Sequence, residues 1–286
     1  YCLEPSGVFG STSFVNEVTL GASNCCFDLD EDGLADNGLE AILTNIIPLL
    51  QNTTPDEAAK EFVEEGSAPI LIQFDKVDDW EDDLDVVVHF IVGADADDDF
   101  SDNLSKDILG VFLANPEYLD ESGQPRMTLK SAVITGGLVR AQTEKLEAYV
   151  PIDDSLGVQL VMEQVVAEVN VSLDGQGGVV MSGGKLGGLI RDSVIHGALN
   201  AYIESTCSCL GLSQGLLVDG ECATDGNNEN CNGVDEDTCG VVYGSCELAL
   251  TLLQFDVDTD GDGFKDAVSV GIEFAGIPAL IAGVAQ

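Results

Sequence analysis

Between Asp258 and Asp266 the chain places an aspartate at nearly every second position: Asp258-Thr259-Asp260-Gly261-Asp262-Gly263-Phe264-Lys265-Asp266. Positions 1, 3, 5 and 9 are carboxylates and position 6 is glycine. So many like charges in one short run exclude a helix or a core strand. They call for a loop closed around a hard cation, and Ca²⁺ takes about six to eight oxygens at roughly 2.3–2.6 Å. Alternate residues of a tight turn present Asp258, Asp260, Asp262 and Asp266. Glycine makes the bend, and the carbonyl of Phe264 at position 7 adds an oxygen. Beyond the loop, Val268, Val270, Ile272 and Phe274 alternate with Ser269, Gly271 and Glu273, which predicts a strand and not a helix. Position 12, where a helix-loop-helix site keeps a bidentate glutamate, is Ser269.

The same spacing recurs near the start, with Asp28, Asp30, Asp32 and Asp36 at positions 1, 3, 5 and 9, Gly33 at position 6 and the Leu34 carbonyl at position 7. Position 12 is Leu39, and Glu40, one residue late, is within reach from the first turn of the following helix. Both stretches resemble the Asp-x-Asp-x-Asp-Gly-x-x-Asp loops of FG-GAP-type and thrombospondin type 3-like calcium-binding proteins secreted by bacteria. The resemblance implies bound Ca²⁺ and an extracellular setting. A third acidic stretch, Asp225 to Asp237, is similar to the short Cys-Asp-Gly-Asn metal-binding motif of secreted bacterial proteins. That resemblance implies ligands from Asp225, Asp235 and Asp237. The run from Asp95 to Asp102 is a degenerate version, with Phe100 where the glycine belongs, and reads equally well as a solvated acidic turn.

Charge and cysteine content bound the setting. With 52 acidic residues against 10 basic ones, the formal net charge is −42. Such a chain repels itself and leans on cations, and it is excluded as a direct partner of nucleic acid or anionic membrane. Calcium loops account for the aspartate clusters but not for the scarcity of lysine, for which a saline habitat is a second cause. Of nine cysteines, six fall between Cys207 and Cys246 among turn-forming residues. This predicts disulfides within the segment and an oxidising, extracellular or cell-surface location; the Cys207-x-Cys209 spacing does not suit a zinc knuckle. Cys2, Cys25 and Cys26 complete an odd count. No apolar run is long enough to span a membrane.

Short alternating runs dominate the rest: Ile70 to Phe74, Leu84 to Val92, and Val165 to Leu173. Thr54-Pro55-Asp56-Glu57 is a capping box opening a helix with Ala58, Ala59, Phe62 and Val63 inward and Gly66 closing it. An earlier helix carries Leu39, Ile42, Leu43 and Ile46, with Pro48 distorting or ending it. The glycine-rich stretch from Gly175 to Gly188 reads as hairpin and helix-entry chemistry before a helix from Leu189 to Ile203. The expectation is a single mainly β domain over 1–286, β-sandwich-like with a few helices and calcium loops, α+β being the alternative; 204–247 would form a disulfide-rich subdomain within it.

With two histidines and no nucleophile-elbow pattern, nothing requests an enzyme. The functional expectation is a calcium-stabilised secreted structural protein, a self-associating protomer of an extracellular assembly such as a filament. Its uncharged termini would donate a strand to a neighbour. The alternative is a calcium-dependent adhesion or carbohydrate-binding module.

Overall fold

The computed structural model describes residues 9–285 apart from 21–23, 52, 67, 98, 106–108, 152–156, 219, 228–229 and 232–233. β1 (Ser11–Thr19) leads through the first acidic loop to α1 (Gly38–Gln51) and α2 (Pro55–Glu65). β2 (Ile70–Asp75), β3 (Asp82–Asp95), the short α3 (Phe100–Asn103), β4 (Gly110–Ala114) and β5 (Met127–Thr135) follow. Next come β6 (Leu138–Pro151), β7 (Gly157–Leu173), β8 (Val179–Arg191) and α4 (Asp192–Thr206). The cysteine-rich stretch holds β9 (Leu217–Val218), β10 (Glu221–Cys222), α5 (Val234–Gly244) and α6 (Cys246–Leu252), and β11 is Ala267–Val284.

Antiparallel pairing runs β1–β2–β3–β5–β6–β7–β8–β11 and returns from β11 to β1, closing eight strands into a barrel. β4 is an extra strand, parallel to the far half of β11 and antiparallel to Gly93–Asp95 of β3. The expectation of a β-sandwich is therefore overturned, although the mainly β composition holds. Alternation reads the same in a sandwich and in a barrel; what distinguishes them is whether the outer strands meet. Here β3 meets β5 from Asp82↔Thr135 to Phe90↔Met127, with register shifts at Asp83/Val86 and Val86/Val88. β11 shifts register between Phe274 and Gly276. Such bulges bend a strand and let a sheet curl shut.

An eight-stranded barrel is just wide enough for side chains to fill it. Val86, Val88, Leu129, Ile134, Val139, Val165, Val169, Met181 and Val270 do so, all buried. Outward positions such as Lys130, Arg140, Gln142, Asn170 and Ser172 are polar and exposed. A membrane-spanning barrel has the reverse pattern. Among the described residues no helix is long and apolar enough to cross a membrane.

A second core lies behind four of the strands. Phe14, Leu71, Ile91, Phe112, Ile277 and Ile281 are buried there with Val63 of α2. Phe14 stacks against Phe112 and Phe100 at centroid distances of 5.1 and 5.7 Å. β1, β2, β3 and β11 are thus apolar on both faces, with β4, α2 and α3 covering the outer one. The uncharged stretch after Glu273 belongs to this core: it pairs with β1 and β4 of its own chain, as β1 pairs with β2 and β11. Both strands are paired within their own chain.

The capping box forms as read, with Glu57 N donating to Thr54 Oγ1 at 3.3 Å and Thr54 N to Glu57 Oε2 at 3.0 Å. Gly66 closes the helix at φ 66°. Val63 faces inward but Phe62 is 40% exposed, and α1 runs on past position 48 to Gln51. Of the glycine-rich stretch, the hairpin holds, with the β7–β8 turn closed by Asp174 N donating to Gly178 O at 2.8 Å; the helix entry is a correction, since residues 179–188 belong to the strand β8 and α4 starts only at Asp192. A Cβ at Gly184 or Gly187 would come within 2.5 Å of the Phe274 or Phe27 ring, so the glycines make room for aromatics.

Three disulfides, Cys207–Cys239, Cys209–Cys231 and Cys222–Cys246, join the cysteine-rich stretch to itself. They lie in a small core with Ile203, Leu210, Leu216 and Leu217. Cys25 and Cys26 pair with each other. Cys2 lies outside the described residues.

Candidate metal centre

Four hydrogen bonds recur at matching positions of the two nine-residue loops. The carboxylate at position 1 accepts from the glycine N–H at position 6, Asp28 from Gly33 at 2.9 Å and Asp258 from Gly263 at 2.8 Å. Position 3 accepts from position 5, Asp30 from Asp32 at 3.0 Å and Asp260 from Asp262 at 3.1 Å. Position 5 accepts from position 7, Asp32 from Leu34 and Asp262 from Phe264, both at 2.8 Å. Position 9 reaches back to position 2, Asp36 accepting from Leu29 N and Asp266 from Thr259 N, both at 2.8 Å. Both position-6 glycines have φ 92°, in the left-handed region where a side chain would be strained.

This bonding winds the chain around three carboxylates. In each loop the ligand-capable oxygens at positions 1, 3 and 5 (Asp28, Asp30, Asp32; Asp258, Asp260, Asp262) lie within 4.8 Å of one another. Two ligands on opposite sides of a Ca²⁺ are separated by twice a bond of about 2.3–2.6 Å, so either triad fits within one coordination sphere. All six aspartates are exposed and open to an arriving ion.

Position 9 stands apart from the triads. Asp36 and Asp266 lock the loop base, helped by Asp36 N donating to Phe27 O and Asp266 N to Val257 O, both at 2.9 Å. In the second loop the lock is stronger. The Thr259 hydroxyl donates to Asp266 Oδ2 at 2.7 Å, and Arg191 Nη1 bonds both Thr259 Oγ1 at 2.8 Å and Asp266 Oδ2 at 3.1 Å. Arg191 Nε meanwhile pairs with Glu163 at 2.9 Å. The Thr259 hydroxyl, then its N–H and Arg191, hold the Asp266 carboxyl below the usual range. Partial burial, with Asp30 and Asp256 as like charges nearby, pushes Asp36 above it.

One small core anchors both loops: Phe27 and Leu29 of the first pack with Val257 and Ala267, which bracket the second, and with Leu189. Ser269, at position 12, is fully buried and donates through N and Oγ to Asp256, while its Oγ accepts from Gly38 N at 2.7 Å. The residue that departs from the helix-loop-helix pattern thus ties the loops together.

The remaining expected ligands are dispersed. The Glu40 carboxylate accepts from Thr44 Oγ1 at 2.9 Å. Asp225 accepts from Ser213 through N at 3.2 Å and Oγ at 2.6 Å. The side chains of Asp235 and Asp237 lie outside the described residues. Leu34 and Phe264, expected to lend only carbonyls, expose 68% and 76% of their surface. In the degenerate stretch Asp95 Oδ1 accepts from Asn103 Nδ2 at 2.7 Å. Arg191, Asp256 and Thr259 escaped the sequence reading, since none belongs to the ligand spacing. The only available signal was the rarity of bases, which makes any single arginine in this chain worth notice. Comparison of the chain with protein-family models, with curated proteins and with solved structures finds no match.

Proposed function

We propose that the chain is a calcium-stabilised, secreted structural protein, a protomer of an extracellular assembly. The observation that carries this reading is the duplication of one loop geometry, with four hydrogen bonds in common, around two carboxylate triads on a shared core. A charge of −42 favours a fold that recruits cations, and the three crossed disulfides suit an oxidising compartment. A calcium-dependent adhesion or carbohydrate-binding role is the second reading, favoured by one feature: Phe264 offers an aromatic ring beside the second triad.

Calorimetric titration should find two Ca²⁺ bound per chain, with Asp30→Asn and Asp260→Asn each abolishing or weakening one site. At a free concentration of about 100 Kd each ion stabilises the fold by roughly 2.7 kcal/mol, so a chelator should lower Tm by several degrees. Absence of calcium uptake, or a Tm indifferent to chelator, overturns the reading. Light scattering with calcium tests assembly, and a calcium-dependent signal on immobilised glycans would favour the second reading.

A further inference from the structure

Three strands carry one polar row across the outer wall of the barrel. Gln73 of β2 lies opposite His89 of β3, and His89 lies opposite Thr128 of β5. Asp75, two residues on from Gln73, joins the row on the same face. His89 Nδ1 is 2.8 Å from Thr128 Oγ1, and its Nε2 is 3.2 Å from Asp75 Oδ2. Gln73, 1% exposed, donates Nε2 to Asp75 Oδ1 at 2.9 Å. A hydroxyl, an imidazole and a carboxylate thus stand in line within hydrogen-bond reach. That is the geometry by which a nucleophile, its base and an orienting acid are recognised on unrelated folds. All three line a cleft of about 950 Å³. The half-buried Thr128 meets the cleft with its hydroxyl, while the His89 ring is held in the wall, 7% exposed.

Proton placement follows from the partners. A carboxylate only accepts, so the ring carries its hydrogen on Nε2 toward Asp75 and presents the Nδ1 lone pair to Thr128. The hydroxyl also has the Pro125 carbonyl at 3.0 Å, but Nδ1 is nearer and the stronger base. Burial, ahead of the opposing pull of Asp75, keeps the ring below its ordinary pKa, so near pH 7 it is neutral and able to take a proton.

Beside Thr128 the wall is bulged. Register passes from Val88↔Leu129 to Val86↔Ala132, so Lys130 and Ser131 together oppose Val87. Leu129 and Ala132 are both buried, and Lys130 and Ser131 both face outward, Ser131 at φ 62°. Bulges of this kind are over-represented next to active sites. The charge of Lys130 reaches the His89 ring. Elsewhere in the cleft charges are matched: Asp85 pairs with Lys76 at 3.4 Å. Asp120 accepts from Ser122 Oγ at 2.6 Å and Gln124 N at 3.0 Å and lies within the field of Arg126. Lined by three bases and three carboxylates, the cleft favours an uncharged substrate.

We propose that Thr128 and His89 form a catalytic site that hydrolyses esters of uncharged acyl groups, with Asp75 and Gln73 as positioning residues and Lys130 supplying positive charge to the developing oxyanion. Thr128 Oγ1 bonds to the carbonyl carbon as its proton moves to His89 Nδ1. The bond from that carbon to the leaving oxygen then breaks, and the alkoxide takes the proton from Nδ1. Water next adds to the acyl-threonine, one of its protons passing to Nδ1 and on to Oγ1 as the carboxylic acid is released. Nothing is oxidised or reduced, and water is the only co-reactant.

The test uses p-nitrophenyl acetate and butyrate with the full-length protein. The parent should release p-nitrophenol at a rate that rises with pH to a plateau, its midpoint below about 6.5, because the base acts only when unprotonated. Rapid acid quench and peptide mass mapping should find the acyl group on Thr128. Thr128→Val, which keeps the side-chain shape, should lose at least about a hundredfold in kcat/KM, while Thr128→Ser retains turnover. An unchanged Tm verifies that both are folded, and if the valine variant misfolds the parent's adduct decides. No turnover by the parent, a rate that climbs with hydroxide and never levels, an acyl group mapped only to other residues, or Thr128→Val at the parental rate overturns the inference. The proposed function survives each of these outcomes, because no residue of either acidic loop lines the cleft.

Discussion

A carboxylate can hold a turn and a cation together because each oxygen has two lone pairs. Asp258 accepts from Gly261 and Gly263 at 2.8 Å each, and those N–H groups, Gly263's foremost, keep its carboxyl below the usual range and so ionised for an ion to meet. His89 is the opposite case. Burial is the largest influence on its ring and lowers its pKa, outweighing the pull of Asp75. In the unfolded chain the ring regains an ordinary value near 6.5. Between that value and the lower folded one, the unfolded state binds the proton more readily. The stability conferred by a neutral ring is therefore intact above about pH 6.5 and is lost as pH falls towards the folded value. His89→Gln should cost roughly 1 kcal/mol at pH 7.5 and flatten the dependence of Tm on pH between about 7 and 5.5. Equal slopes in parent and variant would show that the ring does not titrate this way.

The cysteine-rich stretch has a small core, in which four buried aliphatic residues pack with its cysteines and with the partly buried Leu199, Leu212, Val242, Tyr243 and Leu250. Its disulfides span 32, 22 and 24 residues, and closing loops of such length contributes roughly 3–4 kcal/mol each in the chain-entropy view. Replacing Cys222 and Cys246 by serine should leave the barrel's cooperative melt in place while residues 204–252 become susceptible to limited proteolysis. Unchanged resistance would mean that packing alone holds the segment. What could be read from the sequence follows the same division between local and distant causes. The triads, the capping box and the intrasegment cysteine pairing were legible because each depends on residues within a few turns or one short stretch. The hydrogen bonds by which Asp36 and Asp266 bracket their loops were not, since the ligand spacing gives no sign of them. β8 was misread because the reason for its glycines, the Phe27 and Phe274 rings, lies at least 90 residues off in roughly either direction along the chain. Closure was invisible too, since it depends on bulges that place β5 against β3.

At the scale of the whole molecule, closure reduces the hazard of exposed edges, with β6 meeting β5 only over Leu138–Arg140 and pairing beyond that with β7. β11, like β3, pairs with three strands. Its first half pairs with β8, its middle with β1, and its far end with β4. Removing residues 276–286 would strip Ile277, Ala279 and Ile281 from the second core, where they are 5%, 8% and 1% exposed. Each buried isoleucine contributes about 1.5–3 kcal/mol, and the facing groups of β1 and β4 would lose partners at about 1 kcal/mol per bond. The summed loss is comparable with the whole stability of a domain, roughly 5–15 kcal/mol. The truncated chain should therefore lose its cooperative denaturant transition and its near-ultraviolet dichroism, and calcium should restore neither, because both triads remain while the strand that ends the second core does not. A truncated chain that still melts cooperatively and differs only in failing to assemble would mean that the tail is a linker between copies after all, and that β11 needs only its first half to hold the barrel shut.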